Sequence, residues 1–178
     1  ERHVPATMYV PTDWVGGAAS WMGSAAPLMR WSELRDLDPA TVELGAHGHR
    51  HIQLDIAPLP EAEHDIAISK ALLEDELQRE VTSFAYPHGS FRRRVRDAVA
   101  DAGFTAACAV KNAWSLRSSD LFALARMTIT PGCDGRRLHD RLVAQSPTDP
   151  VSERLRTTVF REVRRARHIA SRRLGDAQ

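Results

Sequence analysis

Short apolar runs alternate with longer segments of helical spacing along most of this chain. Apolar runs of strand length occur at residues 6–12, 41–46, 82–86, 104–110 and 121–129. Helical spacing marks residues 31–37, 61–80, 91–102 and 136–144. Strands that alternate with helices in this way are typical of a parallel sheet or an α/β barrel, so the pattern predicts an α/β fold.

The predicted helix at residues 61–80 has the clearest pattern. Its apolar residues Ile66, Leu73 and Leu77 fall at helical spacing beside acidic residues. Ser32 is positioned as an N-cap for an earlier helix, and Gly103 stands where a C′ glycine would end a later one. No internal repeat or low-complexity tract interrupts the alternation, so a repeat protein is not indicated.

Three histidines follow the strand predicted at 41–46. His47, His49 and His51 stand at its carboxyl end, where α/β folds place their functional groups. Neutral imidazole offers a nitrogen lone pair near pH 7, so clustered histidines can hold zinc or a similar ion. If the strand continues, all three share a face; if a helix begins after Ala46, His47 and His51 share one. Both conformations keep His47 and His51 together, and a solvated histidine-rich loop is the alternative.

Length and composition are those of one globular domain. The chain has 178 residues, 43% hydrophobic and 26% charged, which is enough to bury a core and too apolar for a disordered chain. Its 24 Lys and Arg residues nearly balance 23 Asp and Glu residues, so the overall charge does not indicate a nucleic-acid partner. The cysteines, Cys108 and Cys133, stand in no C-x-x-C motif and are expected to be free thiols.

Nothing in the chain predicts a compartment, and localisation stays unknown. No run approaches the roughly 18 consecutive apolar residues that a membrane-spanning helix needs. The first residues lack the basic and apolar regions of a signal peptide. Because the sequence opens at Glu1 almost directly into strand-like residues, we expect an upstream segment to be missing.

Three segments resemble the polysaccharide deacetylase family, also called the NodB-homology family, in order and spacing. They are residues 4–10 (VPATMYV), 42–54 (VELGAHGHRHIQL) and 84–90 (FAYPHGS). The resemblance implies a distorted (β/α) barrel, expected over residues 1–146, that uses a divalent metal, usually zinc. It also implies hydrolysis of N-acetyl or O-acetyl groups on the sugars of a polysaccharide or oligosaccharide. The expected partner is therefore an acetylated glycan.

The resemblance further implies roles for individual residues. His47 and His51 match the family's metal-binding H-x-x-x-H pair. The turn at residues 86–89 matches one in which the backbone N–H of the residue after proline helps to hold the oxyanion. In this chain that residue is His88.

Substrate contacts are expected from Tyr86 and Pro87 of the same turn and from Trp21. Trp21 belongs to a loop rich in Gly, Ala and Ser, and Trp14 and Trp31 lie on either side of it. Aromatic rings can stack on sugar faces, although tryptophans near a barrel rim are at least as often packing residues.

The chain departs from the family pattern in three ways. No Asp-Asp pair occurs in it, although members carry one upstream that supplies the catalytic base and the third metal ligand. Ala85 stands where many members have an arginine that orients the base. No histidine matches the general acid, for which His88 and His139 are unassigned options. We expect the first departure to reflect truncation, which leaves the site one ligand short, with weak metal binding and little or no turnover.

Two other functions remain open. The same fold could form a catalytically dead carbohydrate-binding or regulatory domain that has dispensed with the acidic pair. An unrelated α/β-barrel metal hydrolase would also use His47 and His51, but it would not act on acetylated sugars.

The last residues, 147–178, are predicted to form a separate basic extension. Residues 151–178 contain eight arginines and three acidic residues, a net charge of +5. Apolar residues recur there at helical spacing and predict an amphipathic helix: Leu155, Val159, Val163, Ala166, Ala170 and Leu174. This helix either docks its apolar face on the protein or contacts an anionic surface such as a membrane. The oligomeric state is not predicted by any feature of the chain.

Deletion of residues 151–178 distinguishes these two roles of the extension. Docking on the protein, which we expect, predicts that neither the full chain nor the deletion variant sediments with anionic liposomes. Co-sedimentation of the full chain that is lost in the deletion variant would instead identify a surface anchor.

Overall fold

The structure is a computed structural model that describes residues 4–19, 26–109, 115, 118–126, 129, 132–143 and 163. The predicted alternation of strands and helices is present in it. In chain order, the elements are β1 (Ala6–Val10), β2 (Ala18–Ala19), β3 (Ala26–Pro27), α1 (Trp31–Arg35), β4 (Val42–Ala46), α2 (Leu59–Leu77), β5 (Ser83–Ala85), α3 (Arg93–Asp101), β6 (Ala106–Cys108) and α4 (Gly135–Val143). Short 3₁₀ turns occur at Thr12–Trp14, Pro87–Gly89 and Leu121–Ala123.

The described residues fall into two units. The first contains residues 4–109 and Asp120–Leu124, and it holds the elements from β1 to β6. The second contains the other described residues, among them α4. The boundary predicted near residue 146 stays a prediction. The basic extension predicted at residues 147–178 lies outside the described residues, apart from Val163.

Strands β1, β4, β5 and β6 form a parallel sheet in the order β1-β4-β5-β6. Val10 in β1 pairs with Ala46 in β4, and Ala46 pairs in turn with Phe84 in β5. The carboxyl ends of these three strands therefore lie side by side at one edge. Strands β2 and β3 form a separate antiparallel pair. The parallel sheet confirms the predicted α/β class, whereas closure into a barrel stays a prediction.

Phe84 lies at the centre of the hydrophobic core. It is fully buried, and its ring centroid lies 5.4 Å from that of Tyr86 and 5.2 Å from that of Phe104. Helices α2 and α3 contribute side chains to the same core, because apolar residues three and four positions apart share a helix face. These are Ala62, Ile66 and Leu73 from α2 and Val95, Ala98 and Val99 from α3.

Of the two helix-capping residues predicted from the sequence, Gly103 is confirmed and Ser32 is not. Helix α3 ends at Asp101, and Gly103 has the left-handed conformation, at φ 86°, that was predicted for a C′ glycine. The prediction that Ser32 caps α1 is wrong, because the helix begins at Trp31 and Arg30 occupies the N-cap position. None of the helices in the described ranges is long and apolar enough to cross a membrane.

The prediction of a strand at residues 121–129 is also wrong for the described residues of this range, 121–126 and 129. The chain forms a 3₁₀ turn at Leu121–Ala123, and Leu124 makes an isolated bridge to Cys108. The Asp120 carboxylate accepts the Phe122 N–H at 2.9 Å. Aspartate side chains that bond to the backbone two residues further on favour turns over strands, which explains the difference.

Replacement of Phe84 by alanine tests the position of this residue in the core. We expect Phe84→Ala to lower the free energy of unfolding by about 3–5 kcal/mol, because the removed ring leaves a cavity. Urea denaturation monitored by tryptophan fluorescence measures the change. Leu121→Ala, at a leucine that is 58% exposed, is the control and should change it by less than about 0.5 kcal/mol. Equal effects of the two substitutions would contradict the proposed core.

Candidate functional site

The histidines lie in a loop at the carboxyl end of β4, here named the histidine loop (residues 47–51). After Ala46 the chain forms neither a strand nor a helix, so both conformations predicted from the sequence for residues 47–51 are wrong. Gly48, at φ 73°, and His51, at φ 58°, adopt left-handed conformations that bend the loop. The rings of His47 and His51 lie together, with centroids 4.9 Å apart.

The orientation of the His47 ring is set by a main-chain carbonyl. Its Nδ1 lies 2.6 Å from the carbonyl oxygen of Ala85, the last residue of β5. Since a carbonyl oxygen only accepts hydrogen bonds, Nδ1 carries the proton and Nε2 carries the lone pair. Histidines that bind metals commonly have their other ring nitrogen held in this way. His47 is thus in the tautomer that could ligate a metal through Nε2.

His88 brings a third imidazole next to this pair. The His88 ring centroid is 4.8 Å from that of His51. Burial lowers the pKa of His51 and the proximity of His88 lowers it further, while the Asp65 carboxylate acts in the opposite direction. His51 is therefore biased towards neutral imidazole, the form that binds metals.

A buried carboxylate, that of Asp65 in α2, holds the backbone of the histidine loop. Its Oδ2 accepts the His49 N–H at 2.8 Å, and its Oδ1 accepts the Arg50 N–H at 3.0 Å. The Arg50 guanidinium adds an Nε–H bond to Oδ1 at 3.2 Å. The Asp65 side chain is 0% exposed, so these donors replace the water that the charge would otherwise need.

Gly48 is required by this contact. A Cβ atom on Gly48 would lie 2.7 Å from Asp65 Oδ2, closer than side-chain carbon atoms approach an oxygen. Glycine also adopts the left-handed conformation of this position without steric cost. The loop can therefore approach the carboxylate only with glycine at this position.

The 3₁₀ turn Thr12–Trp14, which follows β1, bonds to the carbonyl groups of the histidine loop. Its first two backbone N–H groups donate to the carbonyl oxygens of Gly48 and His49, at 3.3 and 3.0 Å. The indole Nε1 of Trp14 donates to the carbonyl oxygen of Arg50 at 3.3 Å. The loop is thus held by Asp65 through its amides and by this turn through its carbonyls.

The side chain of His49 takes part in the same contact. Its Nδ1 lies 2.8 Å from Thr12 Oγ1, and its Nε2 lies 3.8 Å from Asp13 Oδ1. The ring thus bonds to the turn after β1, which agrees with a supporting role rather than with a third ligand.

The turn at residues 86–89 is anchored in the core. The Tyr86 ring is fully buried and stacks on Phe91 at a centroid distance of 4.4 Å, and its hydroxyl donates to Phe122 O at 2.9 Å. Burial raises the pKa of Tyr86, so its hydroxyl stays protonated. Pro87 is also buried, whereas His88 is exposed. Tyr86 and Pro87 are both fully buried in this structure, and their predicted contact with a substrate stays a prediction.

Of the tryptophans that the structure describes, Trp31 packs against the core and Trp14 lines a cavity. Trp31 is partly buried against the core. Trp14 lines an apolar cavity of about 220 Å³ together with Met8, Leu28 and Met29, among others. Trp21, which was predicted to contact substrate, lies outside the described residues.

His47 and His51 fit the chemistry of a metal-binding pair. Within the described ranges, however, no three His, Cys, Asp or Glu side chains are grouped so that they could hold a metal ion. A catalytic zinc site usually takes three protein ligands. The described residues therefore provide at most two of these, and metal binding stays a prediction.

Sequence reasoning missed Asp65. The residue falls on the buried face of α2, between Ala62 and Ser69. An acidic residue at a position that helical spacing places in the core is a signal that could have identified it, because buried carboxylates need specific partners.

The fold and these residues define an α/β protein with a histidine site at the carboxyl ends of parallel strands. The sequence model of the polysaccharide deacetylase family matches residues 1–107, more than half of the chain. The chain belongs to the polysaccharide deacetylase family, and the resemblance seen in the sequence is confirmed.

Several solved structures have a similar fold. The deacetylase PplD of Streptococcus pyogenes in complex with acetate has a TM-score of 0.68 and 21% identity, over 78% of this chain and 58% of that chain. A de-N-acetylase from Aggregatibacter actinomycetemcomitans has a TM-score of 0.64 and 15% identity, over 76% and 64%. IcaB from Ammonifex degensii has a TM-score of 0.63 and 18% identity, over 80% and 63%.

These likenesses establish the fold alone, because the identities are low. The chain spans about three-fifths of the length of each of these structures. A search of curated proteins finds no match.

Replacement of Tyr86 by phenylalanine tests whether this residue is structural. We expect Tyr86→Phe to lower the free energy of unfolding by about 1 kcal/mol, because Phe122 O loses its donor, and to leave glycan affinity unchanged. Tyr9→Phe is the control for glycan affinity, since it also removes a partly buried tyrosine hydroxyl, one that lies 3.4 Å from Cys108 Sγ and bonds to Ser83. Urea denaturation and calorimetry provide the two readings. Reduced glycan affinity without a loss of stability would support the substrate contact instead.

Proposed function

We propose that this chain forms part of a metal-dependent hydrolase that removes acetyl groups from N- or O-acetylated sugars of a polysaccharide or oligosaccharide. Family membership supports a hydrolase of this type in general terms. The observation that carries the finer proposal is the contact between His47 and His51, whose ring centroids lie 4.9 Å apart at the carboxyl edge of the sheet.

His47 and His51 would hold the metal, and zinc is the proposed ion. Two features of the rings support this assignment. Ala85 O holds His47 in the tautomer with its lone pair on Nε2, and the lowered pKa of His51 favours its neutral form. A divalent ion held by these residues would lower the pKa of a coordinated water and polarise the acetyl carbonyl.

The backbone at His88 would stabilise the charge that develops on the acetyl oxygen. His88 has a φ of 57° and Gly89 a φ of 69°, so the chain bends sharply here, next to the two histidines. A backbone N–H that is held in place in this way donates to the oxyanion of a tetrahedral intermediate without reorganisation. The Gly89 N–H, which donates to Tyr86 O at 2.8 Å, and the buried Pro87 keep the turn fixed.

A third ligand and a catalytic base complete the proposal. In the family pattern both roles belong to an Asp-Asp pair, which these 178 residues do not contain, so we assign neither role to a residue of this chain. We further propose that strands β1, β4, β5 and β6 belong to a distorted (β/α) barrel. Their parallel order and the likeness to deacetylase folds support this closure.

Zinc titration of the 178-residue chain by calorimetry tests the histidine pair. We expect weak binding by the wild type and a further loss of about tenfold or more in His47→Ala and in His51→Ala, because each removes one of two ligands. His64→Ala, at an exposed histidine of α2, is the matched control and should leave the affinity unchanged. Equal affinity in all four proteins would overturn the proposed metal site.

Acetate release from acetylated chitooligosaccharide tests the completeness of the site. We expect little or none from this chain, since two ligands leave a catalytic zinc site one short. Zinc-dependent release that His47→Ala abolishes would contradict this expectation and would show that the ligand set is complete within the 178 residues.

Among the residues that the structure describes, no three side chains are grouped to hold a metal ion, which favours a second candidate, a catalytically dead carbohydrate-binding or regulatory domain of the same fold. Such a domain should bind an acetylated oligosaccharide equally well with zinc, with EDTA and in the His47→Ala variant. Binding that requires both zinc and His47 would instead support the hydrolase.

A further inference from the structure

We propose that Asp65 is a positioning residue whose buried carboxylate fixes the histidine loop, so that His47 and His51 are arranged for one metal ion before the ion binds. This inference rests on the proposed function, because it takes these two histidines to be the ligands. Asp65 acts through the loop backbone and does not itself contact the metal or the substrate.

The hydrogen bonds of Asp65 go to the chain between the two ligands. His49 and Arg50 lie between His47 and His51, and their N–H groups donate to different oxygens of the carboxylate, at 2.8 and 3.0 Å. Because both oxygens are used and the side chain is 0% exposed, any rotation of the loop would leave a buried charge with fewer donors. The loop is therefore held in one orientation.

The loop conformation itself calls for such support. His51 has a φ of 58°, which is unfavourable for a residue with a side chain, and Gly48 has a φ of 73°. Residues in such conformations persist where the surrounding structure fixes them. Asp65 on one side and the 3₁₀ turn Thr12–Trp14 on the other provide these constraints from the protein alone.

Arg50 connects the loop to α2 a second time. Its Nε–H donates to Asp65 Oδ1 at 3.2 Å, and its Nη2 lies 3.0 Å from Glu61 Oε1. Glu61 stands in the first turn of α2. The guanidinium thus compensates the Asp65 charge and links the loop to the start of the helix that carries Asp65.

The Asp65→Asn variant tests the proposal. The amide has nearly the same shape as the carboxylate, but its NH₂ group cannot accept a backbone N–H, so one of the loop bonds is lost. We expect zinc affinity to fall by about 10- to 100-fold. We also expect the amide hydrogens of His49 and Arg50 to exchange about tenfold faster in the absence of zinc. Asp75→Asn, at an exposed aspartate of the same helix, should change neither value.

The two readings distinguish failure of this proposal from failure of the proposed function. If His47→Ala binds zinc as well as the wild type, the metal site is wrong, whereas hydrogen exchange still reports how Asp65 holds the loop. The positioning role would be overturned if the amide hydrogens of His49 and Arg50 exchange at the same rate in Asp65→Asn as in the wild type. It would also be overturned if they exchange faster while the zinc affinity is unchanged.

Arg50→Gln provides a second variant in case Asp65→Asn does not fold. It removes the guanidinium but leaves the carboxylate and both backbone donors. We expect exchange at residues 49 and 50 and zinc affinity to change in the same direction as in Asp65→Asn and by a smaller factor. Faster exchange with unchanged zinc affinity in this variant would equally contradict the proposal.

Discussion

The register of the parallel strands β1, β4 and β5 is the constraint on which the rest of the structure depends. Because Val10, Ala46 and Phe84 are aligned across the sheet, the three segments that follow these strands begin at one edge. The bond from His47 N–H to Val10 O, at 3.0 Å, extends the pairing one residue beyond the end of β4. A slip of one residue would turn every side chain of β4 to the other face and would remove the histidine loop from the turn at His88.

Within this frame, buried polar groups rather than apolar contacts set the conformation of the site. Adjacent residues of α2 make the two kinds of contact. Ile66 packs in the hydrophobic core, and Asp65 accepts hydrogen bonds from the histidine loop. A hydrophobic contact tolerates small displacements, whereas a buried carboxylate with fixed donors does not. The stability of the core and the geometry of the histidines therefore depend on the same helix.

Features that leave a pattern in neighbouring residues, such as a helix or a histidine pair, could be predicted from the sequence. Features that depend on contacts between distant segments could not. Helical spacing predicted α2, and the H-x-x-x-H spacing predicted that His47 and His51 lie together. The loop between them matches neither predicted conformation, because left-handed residues such as Gly48 leave no mark in hydrophobic periodicity. The structural roles of Asp65 and Tyr86 were not predicted, since the groups to which their side chains hydrogen-bond lie 15 or more residues away in the chain.

In the histidine loop, the backbone is held by the protein, whereas the rings of His47 and His51 lie together at the site, and this division has a consequence for the evolution of the loop. Two amides and three carbonyls of the loop are bonded to Asp65 and to the 3₁₀ turn after β1. Substitutions at 47 or 51 can therefore change the chemistry of the site while its frame persists. Substitutions at Gly48 or Asp65 alter the frame itself. Natural selection can thus act on the ligands and on their support as separate traits.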